Sequence, residues 1–245
     1  MKFIRNLKGT CSWRFIVVFA FLITGVNAQE SNLSGGWIMN ERGSWQGLVT
    51  TESAELVLAK FDRSVDDPSM RCIAPGLIRA TESQAPLEIV EQDHQILILY
   101  EAFNVLRRVH MDGRIAPEWM PLSPVGYSMG NWQGDELIVE TTHLTPHLFN
   151  DDGLPFSGHP EGKTIERYRL LNNRLELEFT VVDPINFQRP VTRTHTFNRV
   201  PDATLLHFHC DPLEATGWRI PVTGDSLRDL LRWLELRPAI PTIPH

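Results

Sequence analysis

The chain has 245 residues, with 30 acidic against 23 basic side chains and a formal net charge of −7 at pH 7. Contacts to phosphate need Lys and Arg, so an acidic chain without basic clusters is a poor candidate for binding nucleic acid or anionic lipid. Small molecules or neutral polymers are the partners that this composition favours.

The N-terminal segment has the pattern of an export signal. Its first fourteen residues include four basic side chains, the apolar run 15–26 follows, and Val26-Asn27-Ala28 offers small residues for cleavage. The apolar run is too short to span a bilayer comfortably. We therefore expect residues 1–28 to be a signal peptide, and the mature chain to be periplasmic or secreted, without stable membrane insertion. Its loss would make the mature chain more acidic.

The cysteine count predicts one disulfide. Cys11 would leave with the signal peptide, so that Cys72 and Cys210 remain. In an oxidising compartment two cysteines more often form a bond than stay as free thiols. A nucleophilic cysteine is the alternative, but neither residue lies in a recognisable nucleophile context. We favour the Cys72–Cys210 bond.

The first predicted elements are short. GGWIMN and SWQGLVT read as short strands, and SAELVLAKF (53–61) has helical spacing. From residue 87 onward the alternation typical of strands is strong. The predicted strands are LEIVEQ, QILILYEA, NVLRRVHMD, YSMGNWQ, ELIVETTHL, TIERYRLL, RLELEFTVVD and VTRTHTFNRV. Gly134-Asp135 and Asn172-Asn173 are suited to tight hairpin turns between neighbouring strands.

These segments predict an all-β fold of about nine or ten antiparallel strands, mostly joined as a meander. Closing a meander into a barrel removes its exposed edges. We assign residues 29–212 to one β-barrel domain. Residues 213–245 form a C-terminal extension whose segment DSLRDLLRWLEL (225–236) is predicted as a helix packed outside the barrel.

Two connections are long and rich in Pro and Gly, at residues 113–125 and 145–163. Long structured loops in compact domains are often functional rims or lids, so we expect both to border a cavity mouth. Several predicted strands also mix polar and apolar residues on both faces. A polar interior that lines a ligand cavity explains this mixing, and so do irregular strands with bulges. The sequence leaves both explanations open.

Four ordered motifs carry a resemblance. RRVHMDGR, GYSMGNWQGDELIVETT, IERYRL and VVDPINFQRP, together with DDPSMRCIAPG and the late Cys210, resemble a large set of mostly uncharacterised bacterial exported proteins. The match covers most of residues 66–212. The resemblance implies a lipocalin- or calycin-like barrel and a Cys72–Cys210 pair, and it implies no activity. This chain has Tyr127 where the set usually has His, and His110 where it usually has Tyr.

Candidate catalytic residues border the first long loop. His110, Asp112 and Arg114 end one predicted strand and Tyr127 begins the next. A histidine oriented by a carboxylate exchanges protons near neutral pH, and a guanidinium stabilises an oxyanion. The alternative is an Asp112–Arg114 ion pair that only locks a strand end. The candidate ligand-binding residues are Glu101, Trp132, Thr142, His143, His159 and Glu166.

No cofactor or metal is expected. The chain lacks a Gly-rich phosphate loop and a Rossmann fingerprint. Ser128 has the spacing of a nucleophile elbow but lies in a predicted meander without a following helix. His207 and His209, with Glu214, form only a fragment of the metal arrangement of cupins, without its glycine-led context.

The favoured hypothesis is an exported barrel that binds a small molecule and acts on a largely apolar substrate as a cofactor-free acid–base enzyme. The reaction would be that of an isomerase, cyclase, hydratase or lyase. A non-catalytic carrier or sensor of hydrophobic ligands is one alternative, and an envelope interaction protein is another. The sequence leaves the ligand and the oligomeric state open.

Overall fold

A computed structural model describes residues 32–201 and 204–211. The predicted signal peptide and the predicted helix at 225–236 lie outside the described residues. Nine strands close into a barrel in the order β1-β11-β10-β9-β6-β5-β4-β3-β2. They are β1 (Gly35–Arg42), β2 (Leu87–Gln92), β3 (Gln95–Tyr100), β4 (Val105–His110), β5 (Tyr127–Gln133), β6 (Glu136–Thr142), β9 (Lys163–Leu171), β10 (Arg174–Val182) and β11 (Val191–Val200). The all-β barrel predicted from the sequence is confirmed.

The hairpin predictions are confirmed by backbone geometry. Gly134, between β5 and β6, has φ +68°, and Asn172 and Asn173, between β9 and β10, have φ +50° and +64°. Left-handed backbone suits Gly and Asn, and two such residues in sequence form the turn whose twist matches that of the flanking strands. These turns lie at one end of the barrel.

One neighbouring pair of strands is parallel, which corrects the prediction of a purely antiparallel meander. A closed barrel of nine strands cannot alternate direction all the way round, so two neighbours must run the same way. The parallel pair is β4 and β5, joined only through Val109 opposite Ser128 and His110 opposite Met129. The long connection 111–126 returns the chain to the start of β5. We call this weakly paired boundary the seam.

The short elements are not part of the barrel wall. The helix predicted at 53–61 is confirmed as α1 (Glu52–Leu58), and Thr51 caps it by accepting a hydrogen bond from the Ala54 amide. SWQGLVT is not a strand, because it makes only isolated bridges through Gln46 and Thr50. The remaining elements are α2 (Arg63–Asp66), α3 (Leu77–Thr81), β7 (His147–Leu148) and β8 (Pro155–Phe156), with single 3-10 turns at Pro68–Arg71 and Ala102–Asn104.

Alternation along each strand sends one set of side chains inward. On β6 the buried residues are Leu137, Val139 and Thr141, as the period of two predicts. Trp37 on β1 is fully buried, donates from its indole nitrogen to the Leu33 carbonyl at 2.9 Å, and lies under Arg199. Trp37 therefore seals the barrel and has no exposed face for a ligand.

The predicted disulfide is present and ties down the segment 204–211. Cys72 and Cys210 are bonded across a sequence separation of 138 residues. Phe208 exchanges two backbone hydrogen bonds of 2.9 Å with the Asn104 side chain, and its ring contacts Phe103 at 4.6 Å. The bond therefore holds this segment to the end of the 3-10 turn Pro68–Arg71, and Phe208 joins it to the loop between β3 and β4.

Replacing both cysteines, as Cys72→Ser with Cys210→Ser, is expected to lower the free energy of unfolding by about 2–4 kcal/mol, because the denatured chain loses a long cross-link. Urea denaturation followed by tryptophan fluorescence measures this loss. The wild-type protein unfolded in the presence of dithiothreitol is the matched control and should show the same loss. An unchanged midpoint in both experiments would contradict the expectation.

Candidate functional site

The four predicted catalytic residues meet on the outer face of the barrel. His110 stacks on Tyr127 with ring centroids 4.7 Å apart, beside a groove of about 330 Å³ at the seam. Asp112 and Arg114 pair with each other, the Arg114 Nε lying 2.8 Å from both carboxylate oxygens. The Tyr127 hydroxyl donates to the Ile115 carbonyl at 3.4 Å. The ion pair given as an alternative from the sequence is therefore formed.

The two opposite charges of this outer group, on Asp112 and Arg114, neutralise each other. The hydrogen bond from Arg114 lowers the pKa of Asp112 to about 2. Partial burial lowers the pKa of His110, and the positive charge of Arg114 lowers it further. These side chains lie outside the barrel and not in its interior, because His110 has the outward parity on β4. Their catalytic role stays a prediction.

The predicted ligand-binding residues are scattered, and among them only Glu166 is fully buried in the barrel interior. The Glu101 carboxylate accepts from the Leu206 amide at 2.8 Å, and Trp132, 37% exposed, lies opposite the buried Leu137 near the hairpin end of the barrel. Thr142 bonds the ring of its neighbour His143 at 2.9 Å, and the His159 ring accepts from the Glu161 amide at 3.2 Å. These side chains do not form one site.

Glu166 belongs to a buried polar network centred on Arg107. The Arg107 guanidinium donates to both carboxylate oxygens of Glu166, at 2.6 and 2.8 Å. It also donates to Ser128 at 2.9 Å and to Thr141 at 2.6 Å, and the Tyr168 hydroxyl donates to Glu166 at 2.7 Å. Such forked pairing is the geometry in which a buried guanidinium and a carboxylate are most strongly bound.

Burial and mutual attraction together set the protonation of this network. Burial disfavours the charge of Arg107, but the attraction of Glu166 outweighs it and raises the pKa of Arg107. Burial first, and then the negative charge of Glu166, raise the pKa of Tyr168. Burial also raises the pKa of Tyr100 to about 12, against the opposing effect of Arg107. The network therefore holds one ion pair and two neutral phenols at neutral pH.

This network explains why several strands carry polar as well as apolar residues on their inward faces. Charged side chains do point inward, as a polar interior requires, but Arg107 and Glu166 pair with each other. On β4 the buried residues are Val105, Arg107 and Val109, so Arg107 has the parity of the core. The same period-two count that placed His110 outside would have identified Arg107 as an interior residue.

A separate cavity of about 470 Å³ opens at the end of the barrel opposite the hairpins, and we call it the end cavity. It lies where β1 and β3 end and β11 begins. Its lining residues are Arg42, Trp45, Leu48, Pro75, Arg79, Glu82, Ser83, Ala102, Phe103, Asn150, Asp151, Asp152 and Arg193. The loop 145–163 contributes three of them, in agreement with the expectation that it borders a cavity mouth.

An aromatic stack forms one wall of the end cavity. The Trp45 ring lies 4.5 Å from the ring of Phe149, and the Arg193 guanidinium carbon lies 4.5 Å above the Trp45 centroid. A guanidinium over an indole face is a favourable cation–π arrangement. Trp45 is part-buried and lines the cavity, so part of its surface remains open to a bound molecule.

Glu82 and Arg193 form the polar wall of the end cavity, and His195, which does not line the cavity, completes a polar cluster with them. Arg193 donates to Glu82 Oε2, and the Nε2 atom of the fully buried His195 lies 3.5 Å from Glu82 Oε1. Within the described residues, four buried atoms of the cluster have no hydrogen-bond partner: Glu82 Oε1, Arg193 Nε and both ring nitrogens of His195. Buried polar atoms without a protein partner are rare, and a water, an ion or a ligand can supply the missing contact. No local pattern in the sequence marks these residues.

Comparison with known proteins gives structural likeness only. No family model matches the chain, and no curated protein matches it. Fatty-acid-binding protein 1 of Echinococcus granulosus is 12% identical with a TM-score of 0.36, covering 69% of this chain and 97% of that one. Lipid binding protein 8 of Caenorhabditis elegans is 14% identical with a TM-score of 0.36, covering 68% and 94%. The zebrafish ileal bile acid-binding protein with cholic acid is 12% identical with a TM-score of 0.34, covering 68% and 98%.

TM-scores and sequence identities at this level do not assign a ligand to this chain. The closed barrel is established by the pairing of the chain's own strands. Within residues 32–201 and 204–211 no helix has the length and hydropathy to cross a membrane. Over the same residues, no three His, Cys, Asp or Glu side chains are grouped to hold a metal ion.

Replacing Arg107 by Met is expected to lower the free energy of unfolding by about 3–5 kcal/mol, because the Glu166 carboxylate would stay buried without its counter-ion. Arg108→Met is the matched control, since Arg108 is the next residue on β4 and is exposed. We expect that variant to change stability by less than about 0.5 kcal/mol. Urea denaturation of both variants measures the difference, and equal losses would contradict the role of the network.

Proposed function

We propose that the protein binds a small, largely apolar molecule in the end cavity and acts as a carrier or sensor. The observation that supports the proposal best is the composition of this cavity, where an aromatic wall faces a polar cluster with unpartnered buried atoms. Its volume of about 470 Å³ falls in the range of small-molecule sites. The site also lies at a barrel mouth, where such pockets commonly occur.

The apolar side of the cavity provides the driving force for binding. Trp45, Leu48 and Phe103 line it, and Leu48 is 41% exposed. Removing apolar surface from water contributes roughly 25 cal/mol per Å². An exposed leucine beside a part-buried tryptophan therefore gains free energy when a ligand covers both.

Binding without chemistry is favoured over the acid–base enzyme at the predicted residues. His110 lies at the far end of β4 from the end cavity, and six residues of extended strand span about 20 Å. Asp112 and Arg114 already neutralise each other outside the barrel. These groups therefore cannot act on a molecule that occupies the end cavity.

We further propose that the protein works outside the cytoplasm, periplasmic or secreted. The Cys72–Cys210 bond supports this part of the proposal, because structural disulfides persist in oxidising compartments.

Leu48→Glu is expected to weaken binding of the uncharged fluorescent probe N-phenylnaphthylamine by roughly fivefold, about 1 kcal/mol, since a carboxylate replaces apolar surface at the cavity. Leu171→Glu is the matched control: Leu171 is 47% exposed, at the opposite end of the barrel. Probe fluorescence titrated against each purified variant gives the dissociation constants.

The proposal predicts that the control variant binds the probe as the wild-type protein does. It is wrong if Leu48→Glu and Leu171→Glu bind the probe with equal affinity, or if the wild-type protein does not bind it. Mass spectrometry of organic extracts of the purified protein then serves to identify a natural ligand.

A further inference from the structure

Two guanidinium groups of the end cavity share a single carboxylate. Arg193 donates to Glu82 Oε2, and Arg42 approaches the same oxygen at 3.9 Å and the Glu82 backbone carbonyl at 3.4 Å. The side chain of Arg42 is 42% exposed, against 14% for Arg193. Arg42 is thus the cation of this wall with the weakest pairing and the most room to move.

The other side of the cavity carries most of its carboxylates. Arg79 lies between two carboxylates, 2.8 Å from Asp67 and 2.5 Å from Asp151. Asp67 is also within 3.7 Å of Arg63. With Asp152, which also lines this side, the three arginines and the three carboxylates of the lining balance over the whole cavity. The positive excess is confined to the wall of Arg42 and Arg193, which share the single carboxylate of Glu82.

The surroundings of Arg193 are consistent with this excess. Burial lowers the pKa of Arg193, Glu82 opposes that effect, and the nearby charge of Arg42 lowers the pKa further. The second carboxylate oxygen, Glu82 Oε1, faces the buried His195 ring instead of the arginines. One more negative charge beside Arg42 would relieve the repulsion between the two guanidinium groups.

We propose that the ligand of the end cavity carries an acidic group that pairs with Arg42, while its apolar body lies against Trp45 and Leu48. The inference rests on the proposed function and specifies the ligand class as an amphipathic organic anion. Arg42 is the specificity-determining residue, and Arg193 holds the indole wall in place through its contact with Trp45. Because the chain as a whole is negatively charged, the attraction for an anion is local to this wall.

Two probes with similar aromatic bodies test this class. Anilinonaphthalene sulfonate carries a sulfonate, and N-phenylnaphthylamine is uncharged. The wild-type protein is expected to bind the sulfonate about tenfold more tightly, and Arg42→Gln to remove most of that preference while leaving the neutral probe within about twofold. Arg174→Gln is the matched control, because Arg174 is exposed at the start of β10 and does not line the cavity. Salt should weaken binding of the sulfonate alone.

The two proposals fail in different ways. If Arg42→Gln affects both probes equally or neither, while Leu48→Glu still weakens the neutral probe, the anion class is wrong and the binding site stands. If Leu48→Glu leaves both probes unaffected, the proposed function is wrong. Circular dichroism and the urea midpoint of each variant establish that it is folded before the titrations are compared.

Discussion

The guanidinium of Arg107 closes the barrel at its weakest boundary. The parallel strands β4 and β5 share only two residue pairs, so few backbone hydrogen bonds join them. Arg107 extends from β4 into the interior and bonds Ser128 of β5, Thr141 of β6 and Glu166 of β9. One buried side chain thereby connects four strands, and the seam stays closed where the backbone ladder is short.

This network also decides where the barrel has free volume. A buried charge is tolerated only when its partners surround it closely, so the middle of the barrel is occupied by Arg107, Glu166, Tyr168 and their hydrogen-bond partners. The available volume lies instead at the end of the barrel, where strand ends and loops meet. Loops are free to vary without disturbing the strand register, and they commonly carry binding residues on a rigid scaffold.

The two polar clusters differ in how completely they are satisfied. In the Arg107 network each guanidinium nitrogen donates to a neighbouring side chain. In the end cavity, Glu82, Arg193 and His195 leave buried atoms without a partner among the described residues. A fully paired network stabilises an interior, whereas the unpaired atoms of the second cluster are open to contact with water or another molecule. The difference distinguishes the satisfied interior network from the cluster at the proposed binding site.

Most of the barrel could be predicted from the sequence. Alternation identified eight of its nine strands, and GGWIMN was read as the short ninth. Gly134 and the Asn172-Asn173 pair marked two of its hairpins, because side-chain direction and turn conformation are local properties. The Cys72–Cys210 bond followed from counting cysteines. The segment SWQGLVT was wrongly predicted as a strand because its residues suit one, yet it lies across the barrel end and makes only single bridges.

The candidate site was not predictable in the same way. Arg107 could have been found, since it shares the parity of Val105 and Val109, whereas the pairing of Glu82 with Arg193 joins residues 111 positions apart in the chain. The sequence by itself determined which faces of the strands are buried, because alternation is read over a few residues. Only the tertiary structure decided that the barrel closes through a parallel seam, and that loops from four parts of the chain meet around one cavity. Those features depend on how all nine strands close together, and no local pattern records that closure.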